Sequence, residues 1–459
     1  MKDTKRRIEL YSFFDHSGIE KHLEKMAKKG WILQKITNLF WVYRRANPQN
    51  LKFSVSYCPS ASEFDPSDSE TKNEYNEFCR HTGWNYAASG AQMFIFYTEL
   101  ENPTPIQTEP SLEVEAIHRS VKKTIIPIYF ILMLLAVLQG AMFVTNLISD
   151  PIDILSNSTS LFTGFGWTML FILFAAELSG YYLWRHKAKK AAEQGEFPES
   201  HGHKTLYCVT LLAVFIGFIY WIISLIINSS YFELTIAVIM LFAVAALIFL
   251  VNGVKQFLKN KNTPAKVNMT LTVVSSFVLS FVLVGVVTFG IITAAKNGIF
   301  DRESRFYQNL YLDNPPLTVE TLSDNEESSD RYITQISGGK SILLGKYEIR
   351  QYARSGDSDT RLPGLEYTVT VVKARFMYNF CKNYLIKNKD KTEGGKVIFA
   401  DHYEKTDAAE WGANEAYRRY RSANYVNQYI LCYDNYIVEI NFDWEPTASQ
   451  KSIVGDIFS

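Results

Sequence analysis

The chain reads as a multi-domain membrane protein. A cytosolic α+β domain built from a duplicated βαββ unit comes first, a five-helix transmembrane bundle follows, and a C-terminal extracytoplasmic α+β domain ends the chain. Three observations predict this class. Five long apolar runs lie between residues 125 and 295. Polar, aromatic-rich segments flank them on both sides. The order strand, helix, Gly-Trp, strand, aromatic strand occurs twice before the first run.

Residues 1–100 make the first domain. Residues 7–14 are strand-like. Ser17 is the expected cap of a helix running to about residue 29, with Ile19, Leu23, Met26 and Ala27 on one face. Gly30 suits the left-handed position that ends a helix. Residues 31–36 and 39–44 read as strands, the second strongly aromatic, and 51–58 as another. A second helix is expected over 69–81, ended by Gly83, followed by strands at 84–88 and 92–97. The repeat shows in Gly30-Trp31 leading to Phe40-Trp41-Val42-Tyr43, and Gly83-Trp84 leading to Met93-Phe94-Ile95-Phe96-Tyr97. One βαββ unit leaves a sheet face uncovered, and two related by a pseudo-twofold axis can share a core. Trp31 and Trp84 are expected in that core.

Residues 101–118 read as an extended linker. They hold Pro103, Pro105 and Pro110 among Glu101, Glu109, Glu113 and Glu115. The transmembrane part covers 119–295, with spans at about 125–145, 161–184, 206–227, 234–254 and 269–295. At 1.5 Å per residue, about 20 apolar residues cross a hydrocarbon core of about 30 Å. The first run begins far beyond the place of a cleaved signal peptide, so the N-terminal domain is expected to stay in the cytosol.

Basic residues orient the spans. Arg119, Lys122 and Lys123 precede span one; Arg185, Lys187, Lys189, Lys190 and Lys204 lie between spans two and three; Lys255, Lys259, Lys261 and Lys266 lie between spans four and five. The links at 147–160 and 228–233 carry no Lys or Arg, only Asp150, Asp153 and Glu233. This asymmetry places the N-terminus inside and, with an odd number of spans, the C-terminus outside. Tyr181, Tyr182 and Trp184 read as an interfacial aromatic belt at the inner end of span two. Tyr220, Trp221, Tyr231 and Phe232 flank the outer turn between spans three and four. Gly217, Ser275, Ser276, Ser280, Gly285 and Gly290 are candidates for close helix packing.

Residues 300–459 read as the second α+β domain. Residues 324–330 are an acidic loop and 337–339 a turn. Strands are expected at 332–336, 342–352, 366–373, 396–400, 427–432 and 436–443, the last two joined by a hairpin at Tyr433-Asp434-Asn435. Helices are expected at 374–386, 408–421 and 450–458.

The segment Phe13-Phe14-Asp15, the run Leu23-Glu24-Lys25-Met26-Ala27-Lys28-Lys29-Gly30-Trp31-Ile32-Leu33, the aromatic Phe40-Trp41-Val42-Tyr43 and the later Gly83-Trp84 together carry a resemblance. They resemble a domain-of-unknown-function family of Gram-positive bacterial membrane proteins. The likeness covers about residues 6–120, continues loosely through the spans and fades beyond 300. It implies an integral membrane protein whose family is often encoded beside PadR-like transcriptional regulators. It carries over no catalytic residue. The duplicated βαββ plan also resembles small-molecule-binding modules found beside bacterial regulators, a likeness of fold that assigns no site.

Composition narrows the function. Lys plus Arg and Asp plus Glu both number 47, so the net charge is zero and a dedicated nucleic-acid binder is disfavoured. An apolar share of 47% excludes a mostly disordered chain. Five cysteines are too few for a disulfide scaffold. No Walker A loop, Rossmann fingerprint, HExxH or GxSxG is present, and Gly338-Gly339-Lys340-Ser341 lacks the upstream glycine of a P-loop. No metal or cofactor is expected: His201-x-His203, with Glu199 and His186, matches no common ligand spacing.

Glu177 is the one ionisable side chain inside a span. It reads either as an ion or proton site or as a hydrogen-bonded structural carboxyl near the interface. Gln139 and Asn252 can hydrogen-bond between helices. Cys381 and Cys432 fall in the external domain, where a disulfide is chemically permitted. The expected function is a non-enzymatic membrane sensor or regulatory adaptor, partnered by the lipid bilayer and by a cytosolic regulator or small-molecule ligand. The alternative is a transporter or transporter-accessory subunit using Glu177.

Overall fold

The computed structural model describes residues 3–37, 40–66, 70–228, 231–296, 315–322, 332–353, 363–393 and 396–459. It has small N-terminal sheets, five long apolar helices and a C-terminal seven-stranded sheet. The chain divides into two compact units. The first holds residues 1–139, 166–216 and 238–296; the second holds 140–165, 217–237 and the described part of 297–459.

The first unit opens with β1 (Thr4–Arg7), α1 (His16–Ala27), β2 (Trp31–Ile36) and β3 (Trp41–Arg45). It repeats the plan with β4 (Lys52–Tyr57), α2 (Glu70–His81), β5 (Asn85–Gly90) and β6 (Met93–Thr98). Each half is a three-stranded antiparallel sheet, in the orders β1-β3-β2 and β4-β6-β5, so the duplication extends to strand order. Gly30 and Gly83 both have positive φ, +74° and +87°, and turn each helix into the strand after it. Ile19, Leu23, Met26 and Ala27 of α1 share one apolar core with β2 and β3, and with Phe53, Val55, Tyr57, Met93 and Ile95 of the second half. Trp84 is buried in a smaller cluster with Cys79, Phe94 and Phe96. Trp31 is only half-buried, with Lys5 Nζ 5.4 Å from its ring centroid.

Three N-terminal expectations need correction. The first strand is Thr4–Arg7, and residues 8–14 run as coil into the helix. The cap is Asp15, whose Oδ1 accepts from the Gly18 amide at 3.1 Å, so Ser17 lies inside the helix. The linker extends only to Glu109, because Pro110 opens α3 (Pro110–Ser120). Proline suits the first helical turn, where its missing N–H has no partner to lose. Val114 and Ile117 of α3, and Val121 just after it, are buried in the domain core.

After α3, a π-helical turn at Val121–Ile125 leads into α4 (Ile126–Ser149). Then come α5 (Pro151–Ser156), α6 (Ser158–Glu193), α7 (Lys204–Asn228), α8 (Tyr231–Asn260) and α9 (Ala265–Lys296). Five of the helical segments are long and apolar enough to cross a membrane, and this is a membrane protein. With 36 residues, α6 is about 54 Å long at 1.5 Å per residue, more than a bilayer core requires. Its surplus lies in the N-terminal domain: Tyr181, Trp184 and Ala188 are part of the domain core. Tyr181 and Trp184 are therefore not belt residues, and only Tyr182 is exposed. Phe14 packs against both, with ring centroids 5.6 and 5.5 Å away. A Cβ at Gly285 or Gly290 of α9 would meet nothing within 4 Å, whereas one at Gly217 would touch Phe162 and Phe165 at 3.5 Å. Close packing at small residues thus holds for α7 and not for those positions of α9.

In the second unit, β7 (Tyr332–Lys340), β8 (Leu344–Ala353), β9 (Leu365–Val372), β12 (Asp401–Thr406), β13 (Glu415–Arg421), β14 (Asn424–Cys432) and β15 (Tyr436–Phe442) form an antiparallel sheet. Its order is β12-β13-β14-β15-β9-β8-β7. A separate hairpin joins β10 (Lys391–Glu393) to β11 (Lys396–Phe399). Alternation fills both faces. Tyr429, Leu431, Val438 and Ile440 lie with the helix Ala448–Phe458, while Ile430, Cys432 and Ile437 lie with the helix Tyr378–Leu385 and with Ile152 and Leu155 of α5. Two further expectations fail here. Residues 415–421 are a strand and not a helix, held between β12 and β14. Residues 337–339 continue β7 opposite Glu348, Tyr347 and Lys346 and do not turn. The acidic loop at 324–330 and the side chains of Tyr231, Phe232 and Glu233 lie outside the described residues.

Candidate functional site

A cavity of about 700 Å³ opens in the first unit between α1, β4, residues 101–107, α3 and residues 197–199 of the link from α6 to α7. Helix periodicity sets its floor. His16 and Glu20 fall beside Leu23 and Ala27 on the buried face of α1. Glu20 Oε1 accepts from the Val55 amide at 2.8 Å, and burial pushes its carboxyl up to about 8. His16 is buried, which holds its imidazole below the usual range, and its Nε2 lies 3.8 Å from Glu113 Oε1 on α3. Phe53, Trp84, Ile106 and Phe197 supply apolar wall. At the rim, Lys21 pairs with Glu199 at 3.1 Å and Lys52 with Glu24 at 3.7 Å. The cavity can thus offer carboxyl groups and one imidazole to a polar group, beside aromatic surface.

One wall of the cavity continues into the membrane helices. Ser17 and Ser200 exchange hydrogen bonds, each backbone N–H donating to the other's hydroxyl at 3.0 Å. Ser200 Oγ also donates to Asp15 Oδ1 at 3.3 Å. Ser12 Oγ donates to Glu177 Oε1 at 2.9 Å and accepts from the His203 amide at 3.2 Å. Glu177 is 3% exposed, so the N-terminal segment itself covers this carboxyl. Tyr207 of α7 interacts with both Glu177 and Tyr129. His203 Nε2 is buried without a hydrogen-bond partner among the described residues and lies against Gly180, where a Cβ would approach it to 1.9 Å. Only glycine admits the imidazole there.

The other sequence candidates lie elsewhere. Gln139 is exposed on α4, and Asn252 Nδ2 donates to the Ile248 carbonyl of its own helix at 2.9 Å. Cys381 and Cys432 are buried in one apolar cluster of the second unit as free thiols, each pushed up to about 11 by burial. His201 is exposed, 3.9 Å from Glu199. No three or more His, Cys, Asp or Glu side chains are grouped to hold a metal among the described residues. Sequence reasoning picked out Glu177 but missed Ser12, Glu20 and Ser200. Glu20 left a signal, a carboxyl set next to the apolar stripe of α1. Ser12 and Ser200 left none, since their partners are 165 and 183 residues away.

Residues 15–129 match the family described as a protein of unknown function, DUF2812. The match takes in α1 to β6, α3 and the start of α4, and with them His16, Glu20 and Glu113, and it leaves β1 outside. The chain matches no curated protein and no solved structure.

Proposed function

We propose that the protein is a non-enzymatic membrane sensor or regulatory adaptor, in which the N-terminal domain passes the state of a ligand or partner to the membrane helices, or the reverse. The carrying observation is the shared wall: α1 and residues 197–199 bound the cavity on one side, Ser17 of α1 is bonded to Ser200 just beyond it, and Ser12, in the segment leading into α1, holds Glu177 and the His203 amide before α7. A change in the cavity that shifts α1 must also disturb the cover over Glu177. In this reading the N-terminal domain is cytosolic and the C-terminal domain extracytoplasmic, as the basic links and the odd span count support.

Hydrogen–deuterium exchange on the full chain in nanodiscs tests the coupling. Glu177→Gln exchanges one strong acceptor for a weaker one and should raise exchange in α1 and residues 196–203. Unchanged exchange there defeats the adaptor reading. If Glu177→Gln instead abolishes ion-dependent uptake while α1 stays as protected as before, the transporter alternative gains.

A further inference from the structure

A second cavity, of about 600 Å³, lies where the edges of β2 and β5 meet the last turns of α8. The two strands are close there: a Cβ at Gly90 would come within 3.0 Å of Ile36 Cγ2. Lys35 of β2, with Lys255, Gln256 and Lys259 of α8, lines the cavity. Positions 255 and 259 are one helical turn apart and share a face.

Among the described residues of this lining Glu63 is the only acidic one, and it holds Lys255 and Lys259 in place. Its Oε2 accepts from Lys255 Nζ at 3.3 Å, and its backbone oxygen accepts from Lys259 Nζ at 3.1 Å. Asn268 Nδ2 of α9 donates to the neighbouring Phe64 carbonyl at 3.0 Å, which ties the same loop to a second helix. Lys35, Lys255 and Lys259 thus face one cavity, in whose described lining Glu63 supplies the carboxylate. Lys255 is 8% exposed, an unusual burial for lysine, so its charge acts with little screening by water.

The position of the cavity selects the anion. The apolar run of α8 gives way to Lys255, Gln256 and Lys259, the depth at which hydrocarbon yields to headgroups. Phe40 and Tyr86, 36% and 43% exposed, stand among the lining residues, as aromatic groups do at that depth. The space is too large for a bare phosphate, and lysine is a point-charge binder of phosphate oxygens. We propose that this cavity binds the phosphate-bearing headgroup of an anionic phospholipid.

The test uses the full chain in phosphatidylcholine nanodiscs doped with phosphatidylglycerol, with retained lipid read by native mass spectrometry. Wild type should retain phosphatidylglycerol in preference to phosphatidylcholine. Lys35→Gln should weaken that preference about fivefold, and adding Lys259→Gln should weaken it further. Lys187→Gln, an exposed basic residue outside the cavity, should leave it unchanged. Lys35 is exposed, so its variant decides the matter even if Lys259→Gln fails to fold. Equal loss in Lys187→Gln and Lys35→Gln would reduce the effect to general surface attraction and overturn the site. Displacement of phosphatidylglycerol by millimolar inorganic phosphate would overturn the lipid assignment in favour of a soluble phosphate.

Discussion

Glu20 makes the stability of the N-terminal domain depend on pH in a direction that can be worked out. Burial lifts its carboxyl to about 8 from an ordinary 4.5, against the lowering effect of the Val55 amide; Glu113 and Glu24 add to the rise and Lys21 opposes it. Between these two values the folded state binds the proton more tightly than the unfolded chain. The contribution is complete below about 4.5 and is lost as pH climbs through about 8. His16, held below 6.5 by burial, acts oppositely and only in more acidic solution. Glu113, pushed up to about 7 by burial in the same cavity, acts in the same direction, so the loss across pH 6.5–8 belongs to both carboxyls. Protection of α1 and β4 amides in the full chain, taken relative to their intrinsic exchange rate, should fall across that range, and Glu20→Gln should flatten part of that slope. A slope of the same size in the variant would mean that Glu20 does not titrate there.

The far end of α6 carries a heavier consequence. Trp184 packs on Phe14 and donates through Nε1 to the Glu199 carbonyl at 3.2 Å, so it joins helix, domain and link. Trp184→Ala should cost the N-terminal domain about 3–5 kcal/mol, a loss measurable by chemical denaturation of the detergent-solubilised chain. An interfacial belt residue would lose far less, so a change below about 1 kcal/mol would return Trp184 to the membrane surface. The same helix shows where the sequence stops being legible. Aromatic residues beside a basic cluster fit a belt, and nothing within α6 tells that Phe14, some 170 residues earlier in the chain, will cover them. Residues 415–421 failed for a related reason: Glu-Ala-Tyr-Arg-Arg-Tyr-Arg suits a helix locally, and pairing on both sides overrides that preference. The βαββ duplication was legible because a turn needing positive φ leaves glycine in the sequence, and a tryptophan follows it both times. Residues 110–120 showed both signals at once, prolines that argued for a linker and Val114, Ile117 and Val121 at helical spacing. The apolar spacing decided the outcome, because those side chains enter the core.

The two sets of links give the chain its proposed orientation, and the cavities give that orientation functional weight. In that proposed orientation all twelve basic residues of the links and of the approach to α4 share a side with the N-terminal domain. Two of the three lysines at the lipid cavity, Lys255 and Lys259, belong to this set, so the asymmetry that would orient the chain would also supply part of its headgroup site. The two ideas fail separately, since lipid retention in nanodiscs is blind to which face is cytosolic. Orientation is decided in intact cells with a membrane-impermeant maleimide, read against a background in which the native cysteines are replaced by serine. Lys29→Cys lies at an exposed position after α1, and Ser459→Cys at the exposed C-terminus. Ser459→Cys should label in intact cells, and Lys29→Cys only after permeabilisation. Labelling of Lys29→Cys in intact cells with protection of Ser459→Cys would invert the protein. Labelling of both without permeabilisation would mean an even number of crossings, and the five apolar helices could not then all span the bilayer.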